Sequence, residues 1–120
     1  MARYRLTRSA RRDIDSILRT SEKRHEREAC IRYAALLLAA MRRVAEDPQG
    51  RSTSDRSELR PGIRSFHIRH SRDESREAPV ANPVHVIFYR AERPGLVEIV
   101  RVLHDRMEPI RHIETPQQRR

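Results

Sequence analysis

Six histidines, together with 26 basic residues against 17 acidic ones, are the groups in this 120-residue chain that could do chemistry. His67 and His70 are separated by two residues, and His85 lies on a later β-rich run that could face them. Such spacing could hold a divalent metal. However, no HExxH string and no cysteine pair completes a ligand set. The histidines therefore read more simply as solvated or hydrogen-bonded strand residues, and no metal or other cofactor is expected. A metal-free ribonuclease needs a base for the 2′-hydroxyl, an acid for the leaving oxygen and cations at the phosphate. Arg60, Arg64, Arg69, Arg101, His67 and His104 would supply that set if they converged on one sheet face. Arginine stays protonated and is a poor general base, so that reading rests on the histidines. Cys30, set between Ala29 and Ile31, reads as a small core residue. With three glycines there is no phosphate-cradling loop, and no serine sits in a nucleophile elbow. Ordinary hydrolases and nucleotide-binding enzymes are set aside on that ground, and no catalytic residue is assigned.

Whatever these residues do, the elements between them must position it. Tyr4 and Leu6 alternate with polar neighbours over Arg3 to Leu6, a short-strand pattern. Thr7 and Ser9 offer N-cap oxygens for a helix whose apolar stripe is Ala10, Ile14, Ile17 and Leu18. Thr20 and Ser21 are expected to interrupt it, with Ser21 capping a second helix from about Glu22 to Glu46. Ala29, Tyr33, Leu36, Leu37, Ala40, Met41 and Val44 form the buried face of that second helix. The link is short enough for an antiparallel hairpin, and Asp47-Pro48 with Gly50 ends it. Residues 49–60 read as a polar loop. Pro61-Gly62 marks a turn into a strand over Ile63 to Ile68, in which Ile63 is out of phase with Phe66 and Ile68. Ser71 to Pro83 reads as a mobile loop. Val84 to Tyr89 and Leu96 to Leu103 are strands joined by a turn at Glu92-Arg93-Pro94-Gly95, and the second is apolar on both faces, as in the interior of a sheet. One helical turn is expected between Met107 and Ile113. The order β-α-α-β-β-β indicates an α+β fold: an antiparallel three-strand core plus the N-terminal strand, with the helical hairpin packed on one face. A chain of this length is expected to form a single domain over 1–120, with 114–120 a disordered tail.

Composition narrows the partners. Lys23 is the only lysine, so nearly all the basic charge is arginine; a GC-rich genome would also produce that skew. A net charge of +9 favours an acidic partner, nucleic acid or an acidic protein segment alike. Only five aromatic residues are present, so the core must be mainly aliphatic. No apolar run reaches the roughly 18 residues that would cross a bilayer, the N-terminal segment lacks the apolar stretch of a secretory signal, and one cysteine demands no oxidising compartment. A cytoplasmic protein with no membrane partner is expected.

Five strings, in order over residues 3–113, resemble the ParE branch of the ParE/RelE toxins. They are Tyr4-Arg5-Leu6 followed by Ala10, Asp13, Ile14 and Ile17; Asp47-Pro48-Gln49-Gly50; Leu59-Arg60-Pro61-Gly62-Ile63-Arg64-Ser65-Phe66; Val86-Ile87-Phe88-Tyr89-Arg90; and Glu98-Ile99-Val100-Arg101-Val102-Leu103-His104 with Met107. The resemblance implies the toxin half of a type II toxin–antitoxin system, a ParD-like antitoxin whose C-terminal segment wraps the toxin, and DNA gyrase as a target inhibited without catalysis. No direct sequence-specific DNA binding is implied. The RelE branch instead cleaves mRNA on the ribosome, and this chain has no tyrosine after its last strand of the kind that branch often uses. A homologue that only binds its antitoxin is a third possibility. For antitoxin binding the resemblance, with charge, nominates Arg11, Arg12, Leu18, Arg60 and Arg64. For the target it nominates Arg101, His104, Arg106 and Met107. Two departures stand out: the 71–83 loop is longer than usual in the family, and Glu108 replaces a frequent aspartate.

Overall fold

Arg3–Leu6 forms strand β1, with Tyr4 and Leu6 turned inward as their alternation requires. The computed structural model describes residues 2–24, 26–77 and 79–113. Helix α1 (Arg8–Arg24) is capped by Thr7, whose Oγ1 accepts the Ala10 N–H at 3.0 Å and donates to the Val100 carbonyl at 2.7 Å. One hydroxyl thus starts the helix and ties it to the last strand. The helix does not stop at Thr20-Ser21. Those residues lower helix propensity by only a few tenths of a kcal/mol and break no hydrogen bond, and Lys23 and Arg24 in the last turn suit the dipole. Helix α2 (Arg27–Glu46) consequently starts later than Glu22, with Glu26 rather than Ser21 at its N-cap. It ends at Asp47-Pro48, as the proline demands.

The remaining strands are β2 (Thr53–Asp55), β3 (Arg64–His67), β4 (His85–Arg93) and β5 (Leu96–His104), in the sheet order β1-β5-β4-β3-β2. β3, β4 and β5 make the expected antiparallel core, and β1 joins β5 in parallel. The α+β expectation holds, with one element added. β2 lies in the stretch read as loop, because three polar residues pairing only through their backbone leave no apolar alternation to detect. The 71–83 stretch also begins in structure: a 3₁₀ helix spans Ile68–Glu74, held to α2 by Arg43, which reaches Glu74 and the His70 carbonyl. A second 3₁₀ turn, Pro109–Arg111, falls within the segment expected to hold one. Residues 114–120, expected to be a tail, lie outside the described residues.

The sheet is buried on both faces, which explains the almost continuous apolar run of β5. Ala10, Leu36, Leu37, Ala40, Met41 and Val44 of the helices cover Phe66, Ile87, Tyr89, Val97, Ile99 and Val102. On the other face Leu59, Ile63, Phe88, Val100, Leu103 and Ile113 form a smaller core. Ile63 is out of phase with Phe66 because it belongs to that second core. A β-bulge between the pairs Phe88–Arg101 and Tyr89–Ile99 leaves Val100 unpaired and switches which side chains of β5 face the helices. Beyond the second core, Glu98 is 6% exposed and lies between Arg5 on β1, at 3.1 Å, and Arg90 on β4, at 2.9 Å.

β1 pairs with β5 only as far as Ile99. Past that point the edge of β5 is covered by α1 itself: Thr7 takes the Val100 carbonyl, and the Asp13 carboxylate accepts the Val102 N–H at 2.9 Å. The same carboxylate receives a two-pronged bond from Arg101, Nε at 2.7 Å and Nη2 at 2.9 Å. Both side chains are largely removed from water. Removing Asp13 leaves a cation and a backbone N–H poorly solvated, so Asp13→Ala should lower the unfolding free energy by roughly 2–4 kcal/mol in urea titration. A change below about 0.5 kcal/mol, the usual effect of a surface substitution, would show this pair to be incidental.

Candidate functional site

A groove of about 820 Å³ opens where the far ends of the helices meet the starts and ends of strands. α1 contributes Ser16, Ile17, Thr20, Ser21 and Arg24, one turn-spaced face of the helix. α2 supplies Ala29, Arg32 and Tyr33; the 79–84 segment forms the opposite wall, and His85, His104 and Met107 close one end. The lining is mostly apolar. Its charged side chains are Arg24 and Arg32, and among the described residues no carboxylate lines it. An apolar cleft with arginines and without acids is complementary to an amphipathic segment carrying negative charge.

The floor is held by a network of named hydrogen bonds. Tyr33 Oη accepts the Val84 N–H at 3.1 Å and shares a hydrogen bond with His85 Nδ1 at 2.5 Å. The His85 ring meets Tyr33 and His104 edge-on, each at a centroid distance of 5.5 Å. Burial, and secondly the nearby His104, push the His85 pKa down to about 4. Burial likewise raises that of Tyr33. Next to this pair, His67 Nε2 donates to Asp105 at 3.0 Å while its Nδ1 accepts the Arg69 N–H. That bond from His67 is the main reason the Asp105 carboxyl titrates below the usual aspartate range. His104 Nδ1 accepts the Arg106 N–H, and its carbonyl takes the Met107 N–H at 3.0 Å, so the turn after β5 is fixed.

From that turn the chain runs to Ile113, which is 4% exposed in the second core, and Arg101 Nη1 holds the His112 carbonyl at 2.6 Å. The segment between is anchored at both ends, yet Met107 is 47% and Ile110 59% exposed. Two large apolar side chains are thus held outward on an anchored segment.

The residues singled out from sequence fall into different places. His104 and Met107 lie together at the groove, and Arg106 is exposed between them. Arg101 is instead committed to Asp13 and the His112 carbonyl, one layer beneath. Arg11 and Arg12 are exposed on α1, whereas Leu18 packs partly buried against the main core. Arg60 is buried beneath the turn before β3, at 8% exposure, and Arg64 hydrogen-bonds Thr53 at 2.8 Å. Neither of these two shares the groove. The arrangement also separates Arg64 and Arg101 from each other and from the histidines of the strand ends. Arg64 pairs with Tyr89 and Arg101 with Phe88, on opposite sides of β4 and so roughly 10 Å apart. His67, His85 and His104 gather at the other end of the strands. Among the described residues no group of three His, Cys, Asp or Glu side chains converges to hold a metal. Sequence reasoning did not assign Arg24, Arg32, Val80, His85 or Ile110 to a site. Tyr33 was read as core, and only its hydroxyl, which seeks a buried partner, hinted at more.

The geometry now stands beside known proteins. The family model described as "ParE toxin of type II toxin-antitoxin system, parDE" matches residues 4–109. The chain is also similar to "Toxin ParE1" of Caulobacter vibrioides, at 37% identity over 114 residues that span 94% of this chain and 99% of the relative.

The burial of His85 has a measurable consequence. An unfolded histidine takes up a proton near pH 6.5, while folded His85 does not until about pH 4. Between those values the unfolded chain binds more protons, so stability should fall as pH drops from 6.5 toward 4. His70, also lowered by burial, acts in the same direction. Urea unfolding at several pH values should show a flatter acid slope for His85→Gln than for the unaltered chain; identical slopes would contradict the assignment.

Proposed function

Because the chain belongs to the ParE toxin family of type II toxin–antitoxin systems, we propose that it is a cytoplasmic toxin that inhibits DNA gyrase by binding, and that a ParD-like antitoxin neutralises it. The observation carrying the binding mode is the fixed segment after β5, which holds Met107 and Ile110 outward between two buried anchors. Such a surface suits capture of a protein partner, with Met107 and Ile110 as apolar contacts and Arg106 and His104 as the polar rim. Arg101 serves it indirectly, by holding the His112 carbonyl and hence the course of the segment. The reading of the chain as a binder rather than an enzyme is supported by the commitment of Arg101 to Asp13 and of His85 to Tyr33, and by the separation of Arg64 from the histidines.

The antitoxin reading is supported by the groove. An acidic amphipathic segment would place apolar side chains against Ile17, Ala29 and Val80 and carboxylates near Arg24 and Arg32. Exposed Arg11 and Arg12 would add long-range attraction, which speeds association more than it tightens it. Since His104 and Met107 border both the groove and the outward segment, an antitoxin seated there would cover part of the target surface.

The test is direct. Purified chain without antitoxin, added to DNA gyrase, should abolish supercoiling and leave trapped, cleaved DNA. Met107→Asp should require at least about tenfold more protein for the same effect, as expected for a central apolar contact, with an unchanged circular dichroism spectrum. Growth arrest with normal supercoiling and cleaved ribosome-bound mRNA would overturn the proposal in favour of an endoribonuclease. Absence of any growth arrest would leave only antitoxin binding.

A further inference from the structure

The outer face of α2, opposite the side that covers the sheet, carries a second apolar surface that the functional reading does not use. Leu36, Leu37, Ala40, Met41 and Val44 face inward. On the other side Ile31 is 47% and Leu38 38% exposed, with Ala35 between them and Ala39 beside them. Glu28, Ile31, Ala35, Leu38 and Arg42 follow one another at alternating steps of three and four residues, the spacing of a helix–helix seam. A shallow hollow of about 180 Å³ flanks the seam, lined by Ala35, Leu38 and Ala39 together with charged side chains, Arg42 and Glu46 among them. Isolated exposed apolar residues are ordinary. A seam with small residues at its middle and charges at its ends is not.

The pattern is self-complementary. If two copies of α2 cross antiparallel with a two-fold axis at Ala35, each residue meets the one equally far on the other side of Ala35. Glu28 and Arg42 are then opposite, twice over by symmetry; Ile31 meets Ala39 and the neighbouring Leu38. Alanine at the axis lets the helices approach closely. At a crossing near 20° they diverge by only ~3–4 Å at the distance of Glu28 and Arg42, about 10 Å from the axis. Arginine spans that gap. Among the described residues neither Glu28 nor Arg42 has an ion-pair partner within the chain, so both are available.

We propose that the occupant of this face is a second copy of the chain, forming a weak two-fold dimer through α2 with reciprocal Glu28–Arg42 pairs. The buried area is that of a single helix pair, below a standard interface, so association is concentration-dependent. The net charge of +9 opposes it. That repulsion acts mainly beyond the contact and is screened within about 8 Å at physiological salt. The dimer leaves the groove and the Met107–Ile110 segment of each copy uncovered, because Ala29 and Tyr33 lie on a different side of α2 from Ile31 and Leu38.

Sedimentation velocity of the full chain from ~10 to ~500 µM in physiological salt tests this. The sedimentation coefficient should rise with concentration toward that of a dimer. Leu38→Glu should remain monomeric throughout with an unchanged circular dichroism spectrum. Glu28→Arg and Arg42→Glu should each weaken association roughly tenfold, since each turns two attractive contacts into repulsive ones. The double variant Glu28→Arg/Arg42→Glu, and an equimolar mixture of the two single variants, should both restore it, because the opposite charges meet again. A chain that stays monomeric at the highest concentration overturns the proposal. So does a dimer that survives Leu38→Glu, or one in which the charge exchange fails to restore what the single reversals removed.

Discussion

Where β1 runs out, strand β5 would present bare backbone to solvent, and the Asp13 carboxylate closes that gap. It accepts the Val102 N–H as a strand would, and binds the Arg101 guanidinium at two points. Through it one helix, the last strand and the segment leading to Ile113 are fixed relative to one another, since Arg101 also holds the His112 carbonyl. An ion pair so far removed from water contributes little net stability compared with apolar packing, but breaking it is costly. Its value here is geometric: it sets the course of the residues after β5, and those residues carry the outward Met107 and Ile110.

The β-bulge at Val100 serves the same end. Without the extra residue, Arg101 would continue the alternation of Val97 and Ile99 into the helix-covered core, where a cation has no partner. With it, Val102 takes that inward place, Val100 and Leu103 join the second core, and Arg101 is carried to the edge where Asp13 waits. Both faces of the sheet are consequently dry, and the few aromatic residues suffice because aliphatic side chains fill two thin layers. The polar network of Tyr33, His85, His67 and Asp105 is then confined to the strand ends beside the groove. Its two hydrogen-bonded pairs, Tyr33–His85 and His67–Asp105, order the strand ends there.

Much of the fold was legible because it follows from local periodicity. The helical stripes, the Pro61-Gly62 and Pro94-Gly95 turns, and the strands at Arg64 and after Val84 all appear as spacing of apolar side chains. The end of α1 was misplaced because serine and threonine are neutral within helices and preferred at caps, so local chemistry supports either outcome. Strand β2 went unread since polar residues that pair only through their backbone have no period. The candidate site was legible in pieces. His104 and Met107 stood out near the chain's end, but nothing along the sequence brought Arg24, Arg32 and Val80 to them.

By itself the sequence determined most of the helices and strands, though neither β2 nor the end of α1, that the last strand would be covered on both sides, and, through five ordered strings, the family. These are properties of short stretches, set by side-chain type and interval. Only the tertiary structure decided that Arg101 and Asp13, separated by most of the chain, are partners, and that Arg64 and the histidines are not. It also decided that Ile63 and Phe66, three residues apart, belong to different cores. Such outcomes depend on strand register and on one inserted residue, and a single step in register turns every following side chain to the other face. That is why chemistry nominated from residue type alone was spread over the molecule, while the groove and the outward segment after β5 emerged from packing.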